Sequence, residues 1–401
     1  MKEPFLKAKY FMGSMTNIAN RPFRRLVTEL GADATIGEMA IASYVVKGGS
    51  QDAALLRRDP SERIFGAQIV GNNPNHLAKA AKYAQKCGAD FVDFNCACPH
   101  ESVVSHGGGA LLLNQPEKIH VHFEAIRAAV TIPVSVKLRK GFGADDNTAE
   151  QIAETAQACG IDAIFIHGRT KAAQYRGPAD WDLVERIARN VDIPVIGCGD
   201  LAHVEAVKAR EVSSACAGFA FARGAVIRPW IFRELAQGAG LDYSGADRLA
   251  LFSKLVEYTL EAFGRDARGY DKSKKFLLKQ LEFLMRYVPA AAYGRECELQ
   301  ERAEVWTPRD EIEALWASSE REARLEILRL AGFPDAPEAK TVARDGAGVQ
   351  SNGAQDIQGT DLQSNGALDT QGADLQSNGA QDTQGIDLQS NGALDTRVDG
   401  A

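Results

Sequence analysis

The sequence predicts an α/β fold: a (β/α)8 TIM barrel, then a smaller helical domain, then a disordered repetitive tail. Three observations carry this reading. Short β-branched or aromatic runs alternate with longer helical patterns at intervals of roughly thirty residues, the signature of βαβ units and a parallel sheet. Beyond Gly245 the strand-like runs stop and helical spacing takes over. Beyond residue 345 a thirteen-residue unit repeats. The expected divisions are 1–240 for the barrel, 241–335 for the helical domain and 336–401 for an acidic low-complexity tail.

The candidate strands, in order, are Lys9–Met12, Ala34–Glu38, Ile64–Val70, Phe91–Asn95, Val134–Leu138, Ala163–Gly168, Val195–Gly197 and Ala217–Ala222. Eight such units closed on themselves place a site at the C-terminal ends of the strands. A doubly wound open sheet is the rival that spacing alone leaves standing. In the helical part, Ala250-Leu251, Leu255-Val256 and Leu260 recur at helical spacing, as do Phe276-Leu277, Leu281 and Leu284-Met285. The run Lys272-Ser273-Lys274-Lys275, continued by Lys279 and Arg286, is basic, and by itself reads as a solvated helix face.

The formal charge of −7 over 401 residues is unevenly spread. Residues 345–401 hold nine Asp and one basic residue, Arg397, so the tail carries −8 and residues 1–344 carry +1. An anionic partner for the folded part is therefore not excluded. In the tail, Gln-Ser-Asn-Gly recurs at 350, 363, 376 and 389. Each unit offers barely one large apolar residue, too little to offset the entropy of ordering; a stacked β-turn solenoid is the sharper alternative. No stretch approaches eighteen apolar residues, and Met1-Lys2-Glu3-Pro4 lacks the apolar run of a signal peptide. The expectation is a monomer of the cytoplasm or nucleus, with no membrane partner. Seven scattered cysteines do not suggest a disulfide framework.

Strand alternation sorts the polar residues. In Val134-Ser135-Val136-Lys137-Leu138 the apolar residues share one face, so Ser135 and Lys137 point into the barrel. The same parity turns Gln68, Asp93, Asn95 and His167 inward. Leaving such groups buried and unpaired would cost a few kcal/mol each, which a polar ligand would relieve. The last two strands end in Gly197-Cys198-Gly199-Asp200 and Ala222-Arg223-Gly224-Ala225, and loops after these strands commonly bind a phosphate in barrels. Arg223 adds a guanidinium fork suited to phosphate oxygens. After the fourth strand come Asn95-Cys96-Ala97-Cys98-Pro99-His100 and Gly107-Gly108-Gly109-Ala110. A thiol there can serve as nucleophile, metal ligand or proton donor. Zinc is not expected, because no second ligand pair stands at finger-like spacing. The glycines require a sharp bend or a close approach.

Taken together, these segments resemble the tRNA-dihydrouridine synthases, FMN-dependent barrel enzymes. The resemblance runs in order over about residues 8–335, through Arg21-Pro22-Phe23-Arg24-Arg25-Leu26, Gln68-Ile69-Val70-Gly71, Asp93-Phe94-Asn95, Cys98-Pro99, Val136-Lys137-Leu138-Arg139, His167-Gly168-Arg169 and Ala222-Arg223-Gly224-Ala225. Gly37-Glu38-Met39-Ala40 and Phe283-Leu284-Met285-Arg286-Tyr287-Val288-Pro289 are most similar to the eukaryotic type that modifies uridine 47 of the tRNA variable loop. The resemblance implies that Ser14, Met15, Thr16 and Gln68 line the flavin. Lys137 and His167 would hold the flavin and its ribityl side, and Cys198, Gly199, Asp200, Ala222 and Arg223 its phosphate end. Asn95, Arg169, Lys272, Lys275, Lys279 and Arg286 would bind the tRNA substrate. Cys98 would be the catalytic acid: NADPH or NADH reduces FMN, flavin N5 gives hydride to uridine C6, and the Cys98 thiol protonates C5.

The sequence departs from the family pattern at Ser14 (usually Pro), Ala97 (usually Gly) and Cys198 (usually Asn). These changes bear on the flavin-facing turn, the surroundings of the thiol and the phosphate region. No zinc-finger module of the kind common in the eukaryotic type stands among these residues, so RNA affinity is expected to be weaker or supplied elsewhere. Two other functions stay open at this point: a flavin barrel reducing a small molecule, as dihydroorotate dehydrogenases do, and a catalytically inactive tRNA-binding homologue.

Overall fold

A computed structural model describes residues 2–289 and 306–335. The strands are β1 (Tyr10–Met12), β2 (Ala34–Ile36), β3 (Ala40–Ile41), β4 (Phe65–Val70), β5 (Phe91–Cys96), β6 (Val134–Arg139), β7 (Ala163–His167), β8 (Val195–Cys198) and β9 (Gly218–Phe221). All pair in parallel. The sheet runs from β2 through β1, β9, β8, β7, β6 and β5 to β4, and the pairing of β2 with β4 closes it. This is the closed eight-stranded barrel, not the open sheet. The ninth strand, Ala40–Ile41, was not foreseen; it is a two-residue appendage paired to the end of β4.

The strands alternate as their pattern requires. Val92, Phe94, Val134, Val136, Leu138, Ile164 and Ile166 face outward and are buried beneath the helices. The covering helices present small residues, such as Ala80, Ala81 and Ala84 of Pro74–Lys86, which let helix and sheet approach closely. Asn73 starts that helix by accepting the amide of His76, ahead of a proline in its first turn.

Inside the barrel, the N-terminal end is filled by aromatic rings. Phe91 of β5 and Phe165 of β7 lie near-parallel with centroids 6.3 Å apart, and Phe11 of β1 meets Phe165 edge-on at 5.2 Å. Phe5, from the short helix Glu3–Lys7, closes this end against Phe91 at 4.8 Å. Gly66 of β4 is the registered neighbour of Phe91. A Cβ there would lie 2.2 Å from the Phe91 ring, so glycine is what lets this ring turn inward.

Among the described residues after β9, only helices follow. Gly245–Phe263 and Ala267–Leu284 pack on each other, Gly245–Phe263 also packs on the barrel helix Arg21–Glu29, and Glu311–Ala317 and Arg321–Leu330 join the group. Ser244 and Asp247 form a capping box at the start of the first of these helices. The change of pattern near residue 240 is thus a change of secondary structure without a gap in packing, and Met1–Ala339 forms one compact unit. The second unit, Lys340–Ala401, lies outside the described residues, as does the expected repetitive tail.

Candidate active site

A cavity of about 550 Å³ opens at the C-terminal end of the strands, within the range of roughly 300–1,000 Å³ typical of small-molecule sites. Its floor is apolar, made by Ile36, Phe165 and Ala220. Above that floor, inward positions turn polar at two-residue steps: Phe91, Asp93 and Asn95 on β5, and Ala163, Phe165 and His167 on β7.

Asp93 anchors a buried network. One carboxylate oxygen accepts from Gln68 Nε2 at 2.7 Å and the other from Ser135 Oγ at 2.7 Å. Burial nonetheless pushes the Asp93 carboxyl up to about 6, against the pull of those bonds and of Lys137. Gln68 Oε1 in turn accepts from Asn95 Nδ2 at 2.8 Å. Asn95 Oδ1 accepts from the backbone N–H groups of Ala97 and Cys98, at 2.9 and 2.8 Å. The network therefore fixes the loop that carries the thiol. Asn95 lines the cavity, but three of its bonds serve this scaffold, so positioning is its first role.

Cys98 lines the cavity, whereas Cys96, two residues earlier at the outward parity, is fully buried beneath the helices. Geometry thus separates two thiols that spacing alone could not. Burial raises the Cys98 pKa, while the backbone N–H of His100 and the Arg139 guanidinium draw it back. The group is a protonated thiol at neutral pH. The glycine run passes directly behind it: Ala110 N donates to Cys98 O at 3.0 Å, and Gly109, at φ 59°, has no room for a Cβ, which would lie 2.8 Å from that oxygen.

The cavity wall is also cationic. Lys137, Arg139, Lys171 and Arg223 all line the cavity. Burial drives the His167 pKa well below its usual value, and the charges of Arg139, Lys137, Arg169 and Arg223 add to the effect, so the ring is neutral. Such a wall favours an anionic group. Arg139 donates to Ala97 O at 2.8 Å and to Gln174 O at 2.8 Å, tying the thiol loop to the segment after β7. The exposed Tyr175 ring lies between two guanidinium groups, 4.1 Å from that of Arg223 and 5.4 Å from that of Arg139.

Every residue that the resemblance assigns to the flavin lines this one cavity: Ser14, Met15, Thr16, Gln68, Lys137, His167, Cys198, Gly199, Asp200, Ala222 and Arg223. Two contribute differently from expectation. The Cys198 thiol turns to Ile166 O at 3.0 Å, and the Asp200 carboxylate is held by Arg169 at 2.7 and 2.9 Å. Arg169, expected at the substrate, is instead a buried support: its guanidinium is committed to Asp200 and to Gly177 O, off the cavity surface. Lys272, Lys275 and Lys279 share an exposed face of Ala267–Leu284, and Arg286 follows, half-buried with its guanidinium 4.5 Å from the Phe283 ring; none lines the cavity. Sequence reasoning placed neither Arg139 nor Tyr175 in the site. Continuing the β6 alternation by one step, from Ser135 and Lys137, would have found Arg139.

Comparison with known proteins adds an independent observation. The dihydrouridine synthase family model matches residues 12–298. A tRNA-dihydrouridine(47) synthase of Coprinopsis cinerea is 35% identical over 340 residues, covering 81% of this chain and 50% of the relative. A protein of Mus musculus named as tRNA-dihydrouridine(47) synthase-like is 33% identical over 318 residues, covering 79% of this chain and 50% of the relative. A like-named protein of Arabidopsis thaliana is 31% identical over 350 residues, covering 84% and 51%. The chain thus spans about half the length of the curated relatives it matches.

Proposed function

Because the chain belongs to the dihydrouridine synthase family, we propose that it reduces a tRNA uridine, U47 of the variable loop, to 5,6-dihydrouridine, with FMN as cofactor and NADPH or NADH as reductant. The observation that carries this reading is the placement of one protonated thiol, Cys98, in a single cavity that also holds Lys137, Arg139, Lys171 and Arg223. The cavity fits a flavin: the apolar floor suits a flat ring system, and the cations suit a phosphate.

Ser14, Met15, Thr16 and Gln68 would line the ring system, Lys137 and His167 its ribityl side, and the turns at Gly199–Asp200 and Ala222–Arg223 the phosphate. A reduced flavin held there would supply the hydride for C6 of the uracil. Cys98 Sγ holds the matching proton and delivers it to C5, which completes the addition of two hydrogens across the bond. The thiolate left behind is stabilised by the same His100 N–H and Arg139 charge that draw its pKa down. Solvent at the cavity mouth restores the proton. To reach the thiol, the uridine must leave its stack. The exposed lysines of Ala267–Leu284 would hold the RNA backbone meanwhile.

The test is incubation of the purified protein with FMN, NADPH and unmodified tRNA, followed by nucleoside mass spectrometry. A two-hydrogen mass gain mapped to U47 is expected. Flavin reduction by NADPH with no gain at any uridine would overturn the substrate.

A further inference from the structure

The turn between β1 and the helix Arg21–Glu29 carries three of the flavin-facing residues, Ser14, Met15 and Thr16. Within it, Ile18 N and Ala19 N donate to Met15 O at 3.2 and 2.8 Å, and at its start Gly13 N donates to Phe221 O of β9 at 2.7 Å. At its centre Asn17 adopts a left-handed conformation, φ 62°, which among residues bearing a Cβ asparagine tolerates best.

Support comes from two sides. Glu38, only 5% exposed, accepts the Asn17 N–H on Oε2 at 2.8 Å. Gln280, fully buried on the inner face of Ala267–Leu284, donates from Nε2 to Ile18 O at 3.0 Å. Successive residues of one turn are thus gripped by a barrel residue and by a helix whose outer face carries Lys272, Lys275 and Lys279. We propose that Glu38 and Gln280 are positioning residues that clamp the turn Gly13–Ala19, so that the helix presenting lysines to RNA also shapes the cofactor site. This rests on the flavin reading above.

A second observation points the same way. Among the described residues, Glu38 Oε1 and Gln280 Oε1 are both buried acceptors with no hydrogen-bond partner, an arrangement native structures rarely leave standing. A proton on Glu38 turns one of these orphan acceptors into a hydrogen-bond donor. The environment favours that proton. Burial raises the carboxyl to about 7, against the Asn17 N–H and the charges of Arg24 and Lys272. Arg24 is itself committed to Glu62 at 2.6 Å.

The experiment compares wild type with Glu38→Ala, Glu38→Gln and Gln280→Met, each checked for folding by thermal melting. Amide hydrogen exchange over residues 13–19 is read in flavin-free protein, and FMN affinity is read by fluorescence titration. Glu38→Ala and Gln280→Met should each speed exchange in the turn and weaken FMN binding by about tenfold, the worth of one buried hydrogen bond. Glu38→Gln should stay close to wild type, because its amide still accepts from Asn17 and supplies a donor. Unchanged exchange in Glu38→Ala and Gln280→Met would overturn the clamp; weaker FMN binding without faster exchange would do so as well. Wild-type protein that takes up no FMN would sink the flavin reading, while the exchange data would still decide the clamp.

Discussion

The two ends of the barrel interior are built from the same strands, yet they obey different rules. At the N-terminal end Phe5, Phe11, Phe91 and Phe165 meet ring to ring, and hydrocarbon burial is their contribution. Two to four residues further along β5 and β7 stand Asp93, Asn95 and His167, with Lys137 level with Asn95 on β6, all buried or half-buried polar groups that lower stability unless partnered. The difference teaches that the fold is secured below so that charge can be concentrated above. Stability and chemistry are separated by one or two steps of a strand.

The separation can be broken at either end. Cys98→Ala should lower uridine reduction by about 10²–10⁴-fold, the usual contribution of a general acid, while melting temperature and flavin reduction by NADPH stay at wild-type values. Full uridine reduction in that variant would remove Cys98 from the mechanism. Phe91→Ala strikes the opposite end and should cost about 3–5 kcal/mol in denaturant unfolding. At temperatures where that variant remains folded, FMN affinity should be retained; its loss there would show the two ends to be coupled.

Glu38 sharpens the comparison by adding a pH axis. Its carboxyl titrates at about 7 in the fold, against an ordinary value of 4.5, so the folded state binds the extra proton between those values. The stability this proton contributes is complete below 4.5 and is lost as pH rises through 7. Glu38→Gln removes that loss. Its unfolding free energy relative to wild type should therefore climb between those values, by about 3 kcal/mol once pH 8 is reached; a pH-independent difference would contradict the assignment. The smallest effect belongs to Cys96→Ala, with a stability cost of about 1 kcal/mol and no change in uridine reduction. Comparable losses of activity in the Cys96 and Cys98 variants would mean that the burial of Cys96 outside the barrel does not divide the two thiols.

Parity explains what the sequence made legible. Side chains in a strand alternate with a period of two, so once Val134, Val136 and Leu138 are recognised as outward, Ser135 and Lys137 must be inward. The same reasoning places Gln68, Asp93, Asn95 and His167 correctly. It fails where the strand ends. Arg169 lies two residues past His167, where alternation no longer holds, and it turns to Asp200 instead of the cavity. Tyr175 belongs to a loop, which has no period to read. Glu38 and Gln280 lie far apart in the chain and meet only through a shared turn, a relation that local pattern does not encode. Phe5 escaped notice because a helix of five residues gives too few positions to show a periodicity.

The seam of the barrel has a temporal consequence. β1 and β9, the first and last strands, are direct neighbours, with Phe11 registered against Ala220. A growing chain therefore has no closed cavity until its last strand has been made, although the turn at Ser14–Thr16 and the loop at Cys98 have long since left the ribosome. Such long-range pairing is slow to form. Cofactor capture thus belongs among the final events of folding, and the nascent flavin-facing turn has to wait for both the seam and the helix that grips it.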